Sequence, residues 1–286
     1  MTGILTLVAT PIGNLGDLPP RAVEALAAAD VVCCEDTRRT GSLLKFAGVR
    51  AAELRRLDEH TEFDAIPDLM ARLAAGEQVV VVTDAGTPGI SDPGERVVAA
   101  AVGAGHEVTV VPGPVAGVAA LVASGLPTGR FVFEGFLARK GRERDAQLAA
   151  IAAETRTVVL YESPNRLAST LAALAERCGE ARRGAVAREL TKLHEEIRRG
   201  TLRELATWAG DGVKGEVVVV VEGADEVREI SDEAVVSSLV EALASGGSRR
   251  DAVDRVVAET GARKRRVYDL SLGIEGDIHK GVTPPS

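Results

Sequence analysis

The residues of this chain that are best suited to chemistry lie in polar loops that follow short apolar stretches. The longest of these loops, residues 84–94 (DAGTPGISDPG), comes directly after an apolar, β-branched run at residues 79–82. Its glycines let a ligand approach the backbone closely, and the Asp84 and Asp92 carboxylates can accept hydrogen bonds from hydroxyl or amine groups. The loop is therefore either a ligand-binding loop or a tight strand-to-helix turn in which both aspartates bond their own backbone.

Three further polar loops interrupt the first half of the chain, at residues 10–14 (TPIGN), 35–38 (EDTR) and 112–114 (PGP). If all four loops follow strands of one parallel sheet, they meet at the edge where open α/β sheets bind ligands. The glycines of the first loop do not have dinucleotide-binding spacing and no Walker A lysine is present, which argues against NAD and ATP. The EDTR segment has a structural alternative, an ion pair that caps the following helix.

Charged side chains also lie at the ends of predicted strands in the second half, at residues 161–163 (YES), 187–192 (ARELTK) and 214–216 (KGE). No spacing of histidines and cysteines is typical of a metal site, so these segments predict metal-free chemistry on a polar substrate. Cys33 and Cys34 are neighbours in a predicted strand and point to opposite faces, which makes a disulfide between them unfavourable. We therefore expect reduced thiols and a cytoplasmic protein.

The elements that must position these loops follow from the hydrophobic periodicity. In the first half, the pattern predicts strands at residues 4–9, 31–34, 54–57, 78–83 and 107–111, and helices at 20–29, 42–46, 65–75 and 95–104. This alternation predicts a parallel sheet covered by helices. The prolines of residues 112–114 mark a hinge, so we expect an N-terminal α/β domain at residues 1–113.

The second half predicts another α/β domain at residues 114–226. Its strands are expected at residues 131–136, 157–161, 184–188, 195–201 and 216–222, and its main helices at 115–123 and 167–177, with a basic loop at 138–144. Two consecutive strands without a full helix between them indicate a mixed sheet.

The last part of the chain predicts a small helical module at residues 231–272. Ser231 is the expected N-cap of its first helix, and Ser248 and Asp251 form an expected capping box for the second. A glycine turn between short helices is similar to a helix-turn-helix module, and a packing or dimerisation appendage is the alternative. Residues 276–286 are expected to be disordered.

Charge and hydropathy limit the kinds of molecule, nucleic acid or membrane, that the chain is expected to bind. The net charge of −8 argues against a broadly basic nucleic-acid-binding surface, although basic clusters at residues 139–144 and 263–266 are suited to RNA phosphates. No apolar run approaches the ~20 residues of a membrane span, and no basic leader precedes the first strand. We expect neither a membrane span nor a signal peptide.

Six of these segments, taken in order, resemble the branch of the tetrapyrrole methylase superfamily that methylates a ribosomal RNA cytidine at its 2′-oxygen: residues 9–15, 35–38, 84–88, 161–163, 187–192 and 214–216. The first loop lacks the glycine-rich pattern of the tetrapyrrole enzymes, which favours the RNA branch. The resemblance implies S-adenosylmethionine between two α/β domains, a homodimer, and a cytidine of 16S rRNA in the decoding centre of the small ribosomal subunit as substrate. It implies that the methyl donor contacts Ile12, Asp84, Ala85, Gly86, Thr87, Ile90, Val115, Ala116, Glu162 and Leu190.

Methylation of a ribose hydroxyl needs a base within hydrogen-bond reach and a cation near the developing alkoxide. Glu189 or Glu35 is the predicted base, and Arg188, Lys192 or Arg38 the predicted cation, because these residues cluster in segments expected to face the cleft. Two other functions remain open: a precorrin-type tetrapyrrole C-methyltransferase of the same fold, and a non-enzymatic regulator that binds nucleic acid.

Overall fold

The computed structural model describes residues 3–225, 230–246 and 248–274. It divides into two units, Met1–Ala224 and Asp225–Ser286. The expected disordered tail at residues 276–286 lies outside the described residues. Within the described ranges, no helix has the length and apolar character needed to cross a membrane.

The first sheet consists of five parallel strands in the order β3-β2-β4-β1-β5. The strands are β1 (Ile4–Val8), β2 (Val31–Cys34), β3 (Leu54–Arg56), β4 (Gln78–Val82) and β5 (Glu107–Val111). The continuous apolar run of β4 is explained by burial of both sheet faces, since Val79 and Val81 belong to one core and Val80 and Val82 to the other. The predicted parallel sheet is confirmed.

Helices cover both faces of this sheet: α1 (Pro20–Ala28), α2 (Thr37–Ala47), α3 (Glu62–Ala74) and α4 (Glu95–Gly103). Helix α2 begins five residues earlier than the periodicity predicts. The Asp36 side chain accepts a hydrogen bond from the Arg38 backbone N–H and caps the helix, so its first turn is polar and carries no apolar signal. The capping alternative for the EDTR segment is therefore realised.

The second sheet has the order β6-β7-β10-β8-β9, and only its β6–β7 pair is parallel. Its strands are β6 (Phe131–Phe136), β7 (Thr157–Glu162), β8 (Arg183–Arg188), β9 (Glu196–Thr201) and β10 (Val217–Val221). Its helices are α5 (Ala116–Ser124), α6 (Arg142–Ala153), α7 (Pro164–Cys178) and α8 (Leu202–Ala209). The predicted mixed sheet is confirmed, while α6 starts inside the segment that we expected to be a basic loop.

The unit Asp225–Ser286 contains α9 (Asp232–Ala244), α10 (Arg249–Thr260) and α11 (Lys264–Gly273). Ser231 caps α9, and Ser248 and Asp251 form the expected capping box of α10. In the basic cluster of α11, Lys264 pairs with Asp254 and Arg266 pairs with Asp232. Half of the predicted basic cluster thus forms ion pairs with the other two helices of this unit.

Candidate active site between the two sheets

A cavity of about 370 Å³ lies where the ends of the two sheets meet. Loops after β1, β4 and β5 form one wall, and the ends of β6, β7 and β8 with the start of β10 form the other. This volume is within the range of small-molecule sites. The convergence of loops inferred from the sequence therefore occurs, and it produces a cleft that is partly open to solvent.

Nine of the ten residues predicted to contact the methyl donor line this cavity: Ile12, Ala85, Gly86, Thr87, Ile90, Val115, Ala116, Glu162 and Leu190. Asp84 instead lines a second cavity of about 290 Å³, together with Arg39 and residues of the first loop. Lining residues that the prediction lacked include Asp92, Tyr161 and Glu216. The paired aspartates of the 84–94 loop were the sequence signal for Asp92.

Hydrogen bonds tie the three loops of the first wall together. The backbones of Thr10 and Gly86 exchange two hydrogen bonds of 2.8 and 3.1 Å, and the Thr87 hydroxyl donates to the Pro114 carbonyl at 3.3 Å. Gly86 has a φ of +91°, a conformation that side chains strongly disfavour. The glycine therefore allows this loop shape at the cavity wall, and the hydrogen bonds hold it.

A buried carboxylate anchors the far end of the 84–94 loop. Glu62 of α3 accepts hydrogen bonds from the backbone N–H groups of Gly94, Arg96 and Val97 at 3.0–3.3 Å. These groups form the N-terminus of α4, where a negative charge is favourable. The loop is thus held at both of its ends.

Three carboxyl groups meet at the first wall. Glu35 accepts from the Asp84 backbone N–H at 3.2 Å, and its side chain lies within hydrogen-bond reach of Asp92. Burial, with the charges of Glu35 and Asp84, raises the pKa of Asp92 to about 7. Burial also raises the pKa of Glu35. The nearest cation is Arg39, whose Nη1 lies 3.4 Å from Asp84 Oδ2.

Glu162 on the opposite wall has both of its carboxylate oxygens occupied. Oε1 accepts from the Ser163 N–H at 2.8 Å and lies 3.3 Å from Arg166 Nε, while Oε2 accepts from the Thr170 hydroxyl at 2.6 Å. Arg166 also donates to the Leu137 carbonyl at 2.9 Å. Glu162 therefore has a structural role, since it links the end of β7 to the first turns of α7.

The aromatic side chains of the second sheet supply an apolar face. The Tyr161 ring packs edge-on against Phe133 and Phe136, with centroids 4.9 and 5.6 Å apart. Its hydroxyl accepts from the Gly117 backbone N–H at 3.2 Å, near the start of α5. The ring is therefore fixed at its polar end and against its neighbours.

The residues predicted to be catalytic do not line the cavity. Lys192 Nζ lies 2.8 Å from both Glu189 Oε1 and Glu216 Oε2, and the Lys192 hydrogen bond lowers the pKa of Glu189. Arg188 Nε donates to Glu196 at 2.6 Å, and the exposed Arg38 pairs with Asp36. Glu35 is the one member of the predicted set that reaches the cavity, through its contact with Asp92.

The two walls touch at the first loop. A Cβ on Gly13 would lie 2.5 Å from Lys192 Cγ and 2.9 Å from the Leu190 carbonyl oxygen, so only glycine allows this approach. Glu189 and Thr191 have positive φ values of 50° and 64°. Strained backbone of this kind persists where surrounding contacts enforce it.

The charge of the lining is one-sided. Of the described residues that line the main cavity, three are carboxylates, Asp92, Glu162 and Glu216, and none is Lys, Arg or His. Such a lining favours a cationic ligand and disfavours phosphates. Within the described part of the chain, no group of three or more His, Cys, Asp or Glu residues is placed to hold a metal ion.

A family profile and solved structures both relate this chain to the tetrapyrrole methylases. Residues 5–206 match the profile of the tetrapyrrole (corrin/porphyrin) methylases. The methyltransferase CobJ aligns with a TM-score of 0.60 at 24% identity, covering 78% of this chain and 95% of its own. A uroporphyrin-III C-methyltransferase from Thermus thermophilus aligns with a TM-score of 0.56 at 24% identity, covering 77% and 94%. At this identity the two structures establish the fold alone, which is that of a tetrapyrrole methylase.

Curated relatives are much closer in sequence. Ribosomal RNA small subunit methyltransferase I of Synechocystis sp. is 46% identical over 278 residues, covering 96% of this chain and 99% of the relative. The protein of the same name from Mycobacterium tuberculosis is 48% identical over 273 residues, covering 95% of each chain. The chain therefore belongs to the ribosomal RNA small subunit methyltransferase I family, and it is a methyltransferase.

Proposed function

We propose that this protein transfers the methyl group of S-adenosylmethionine to the 2′-hydroxyl of a cytidine in 16S rRNA, in the decoding centre of the small ribosomal subunit. The names of its relatives support a ribosomal RNA substrate. The observation that carries the proposal is the cavity between the sheets, which has apolar walls and carboxylates but no cation among its described lining residues.

This lining fits S-adenosylmethionine. When bound, the cofactor supplies an electrophilic methyl group on a positively charged sulfur. The apolar side chains of Ile12, Ile90 and Leu190 would hold its uncharged parts, and the backbone of residues 85–87 would approach it closely because Gly86 has no side chain. The negative charge at the wall would favour the cationic donor over its neutral product.

The second cavity would hold the nucleotide that accepts the methyl group. It combines the apolar side chains of Pro11, Leu15 and Leu43 with the Asp84 carboxylate and the Arg39 guanidinium. A pyrimidine base presents both apolar faces and hydrogen-bonding edges, which suits this mixture. The two cavities are neighbours, since Asp84 lines one and Ala85 lines the other.

Basic side chains outside the cavities would contact RNA phosphates. Arg139, Lys140 and Arg142 are exposed and make no ion pair within the described ranges, whereas Arg144 donates to the Ala138 carbonyl and the Thr170 hydroxyl. Arg265 of α11 is also exposed and, like Arg139, makes no ion pair within the described ranges. These residues are our proposed RNA contacts.

A homodimer in the cytoplasm is also part of the proposal. Helix α5 is apolar around its circumference, and its residues Val118 and Val122 are 45% and 70% exposed. A helix of this composition is normally covered on all sides. Analytical ultracentrifugation of the wild-type protein and of Val122→Asp would test this: the substitution is expected to yield monomers.

A tetrapyrrole C-methyltransferase remains the competing function, and the fold likeness alone supports it. Transfer of labelled methyl to isolated small subunits, to naked 16S rRNA and to a porphyrin precursor separates the alternatives. We expect label in RNA, recovered as 2′-O-methylcytidine after nuclease digestion. Label in the porphyrin alone would establish the competing function. Donor binding without transfer to any acceptor would favour a non-enzymatic regulator.

A further inference from the structure

We propose that Asp84 and Arg39, which lie side by side in the second cavity, recognise the accepting nucleotide by the amino group of its base. The inference rests on the proposed function and deepens it, because it names the side chains that distinguish cytidine from uridine. It also gives Asp84 a role different from the contact with the methyl donor that the sequence suggested.

The position of the second cavity carries the first step of the argument. Asp84 lines this cavity, and the next residue, Ala85, lines the main one. The backbones of Thr10, at the second cavity, and Gly86, at the main cavity, exchange hydrogen bonds of 2.8 and 3.1 Å. The segments that separate the two cavities are therefore tied together. A nucleotide whose base lies in the second cavity has its ribose beside the proposed donor site.

Asp84 and Arg39 have polar atoms that the protein does not fully use. Asp84 Oδ1 accepts from the Asp36 backbone N–H at 3.2 Å, while Oδ2 lies 3.4 Å from Arg39 Nη1. That separation is longer than the 2.7–2.9 Å of a strong charge-assisted hydrogen bond. The Arg39 side chain is 65% exposed and makes no other ion pair within the described residues. The pair therefore presents a carboxylate acceptor next to guanidinium donors.

The hydroxyl groups of the same lining are engaged elsewhere. Thr10, Ser42 and Thr83 each donate to a backbone carbonyl at 3.0–3.4 Å. Thr40 is buried and its side chain lies in hydrogen-bond contact with Cys34. Asp84 and Arg39 are thus the groups of this cavity best placed to bond a ligand.

The order of acceptor and donor in this pair matches the base edge of cytidine. Cytosine presents an amino group beside a ring nitrogen that accepts, so the Asp84 carboxylate would accept from the amino group and the Arg39 guanidinium would donate to the ring nitrogen. Uracil has an oxygen in place of the amino group, which would set two acceptors against each other. Adenine presents the same order as cytosine, so the pair reads the amino group rather than the whole base.

The main cavity does not provide an equivalent pair. Its described lining residues include carboxylates but no Lys, Arg or His, so no cationic side chain there can donate to a ring nitrogen. The assignment of the base to the second cavity and of the donor to the main cavity follows from this difference in charge.

The first test changes the RNA and leaves the protein intact. In reconstituted small subunits, the nucleotide that the wild-type protein methylates is replaced by uridine or by pyrimidin-2-one ribonucleoside, which lacks the amino group and keeps the ring nitrogen. Because a site built to bond an amino group rejects analogues without it, we expect kcat/KM at saturating S-adenosylmethionine to fall at least about tenfold for either replacement.

The second test changes the two side chains, again at saturating donor. Asp84→Asn keeps an acceptor for the Asp36 N–H and adds an amide donor that can face the uracil oxygen, so the preference for cytidine over uridine should shrink at least about tenfold. Arg39→Met should lower kcat/KM for cytidine and pyrimidin-2-one alike, since both retain the ring nitrogen. Asp211→Asn, at an exposed residue that lines neither cavity, is the control and should match the wild type.

The outcomes separate this assignment from the proposed function. A purely structural role of Asp84 would lower activity on all acceptors without changing their ratio. A fall of less than tenfold on pyrimidin-2-one with wild-type protein, or a cytidine preference that Asp84→Asn leaves unchanged, would overturn the assignment alone. Absence of 2′-O-methylcytidine with wild-type protein and unmodified subunits would overturn the proposed function together with it.

Discussion

Both walls of the cavity carry acidic side chains, but the two sets are in opposite electrostatic surroundings. On the first wall, Glu35, Asp84 and Asp92 share a single nearby cation, Arg39, and burial raises the pKa values of Glu35 and Asp92. On the second wall, Glu162 and Glu216, and Glu189 beside them, each have a Lys or Arg partner within 3.3 Å. Burial without a cation favours proton uptake, whereas pairing favours the ionised form. The comparison shows that the charges that shape the cleft and those available for chemistry lie on different walls.

The second wall is where a substitution should destabilise the protein most. Glu162→Ala leaves Arg166 without its carboxylate and removes the acceptor of Thr170, and loss of one partner from a buried pair costs about 3–5 kcal/mol. Urea denaturation measures the loss. Glu180→Ala, which breaks the exposed pair with Arg203, is the matched control and should cost under about 1 kcal/mol. Equal losses would remove the distinction between the buried pair of the wall and an ordinary surface pair.

The first wall should be most sensitive in ligand binding. Gly86→Val places a branched side chain at a φ of +91° between Ile12 and the Pro114 carbonyl, and strain of this kind costs about 1–3 kcal/mol. We expect donor affinity, measured by calorimetry, to fall by about a hundredfold. Gly48→Val carries similar strain at a φ of +69° in open space at the end of α2, and should leave donor affinity unchanged. Tight binding by Gly86→Val would place the donor elsewhere.

The carboxyl cluster of the first wall should itself be destabilising at high pH. The folded-state pKa of Asp92 is raised, so the folded protein binds this proton more tightly than the unfolded chain, and stability falls as pH rises from about 4 through 7. Asp92→Asn should therefore raise the free energy of unfolding at pH 8, by on the order of 1–2 kcal/mol after allowance for partial exposure, and leave it unchanged at pH 4. A variant that is less stable than the wild type at pH 8 would contradict this.

Lys192 tests whether the paired charges of the second wall are structural. Lys192→Met removes the cation shared by Glu189 and Glu216, and we expect a stability loss of about 1 kcal/mol and a fall in kcat below about tenfold. Single-turnover kinetics and thermal denaturation provide the two values. A fall in kcat above a hundredfold with donor affinity intact would instead support Lys192 as the catalytic cation, as the sequence-based hypothesis has it.

The smallest effect is expected for exposed basic residues outside the cavity, and it concerns RNA binding. Charge reversal of Arg139 and Arg142 should weaken binding of a 16S rRNA fragment and reduce the slope of log affinity against log salt by about 1–2, without changing donor affinity. Reversal of Arg21 and Arg50, which are exposed on other elements, changes net charge equally and is the control. Equal effects of the two double variants would indicate a response to net charge rather than to a local contact.

The sequence predicted the positions of loops better than the state of side chains. Apolar β-branched runs mark β4 and β10 because buried strands need them, and glycine-rich turns mark the loops that follow. The ion pairs of Lys192 and the absence of a cation beside Asp92 depend on which segments meet in the fold. Lys192 pairs with Glu216 as well as Glu189, and Glu35 beside Asp92 comes from the loop after β2. Residue type and local spacing carry no information about such pairing, which is why the predicted catalytic set fell mainly on paired residues.

The central claim is that the donor occupies the cleft between these unlike walls, and a crystal structure with S-adenosylhomocysteine tests it most directly. We predict density enclosed by residues 85–90 on one side and by Tyr161 and Leu190 on the other, with the sulfur on the side of Asp92. Density at any other site, or a donor whose sulfur faces away from Asp92, would contradict the account.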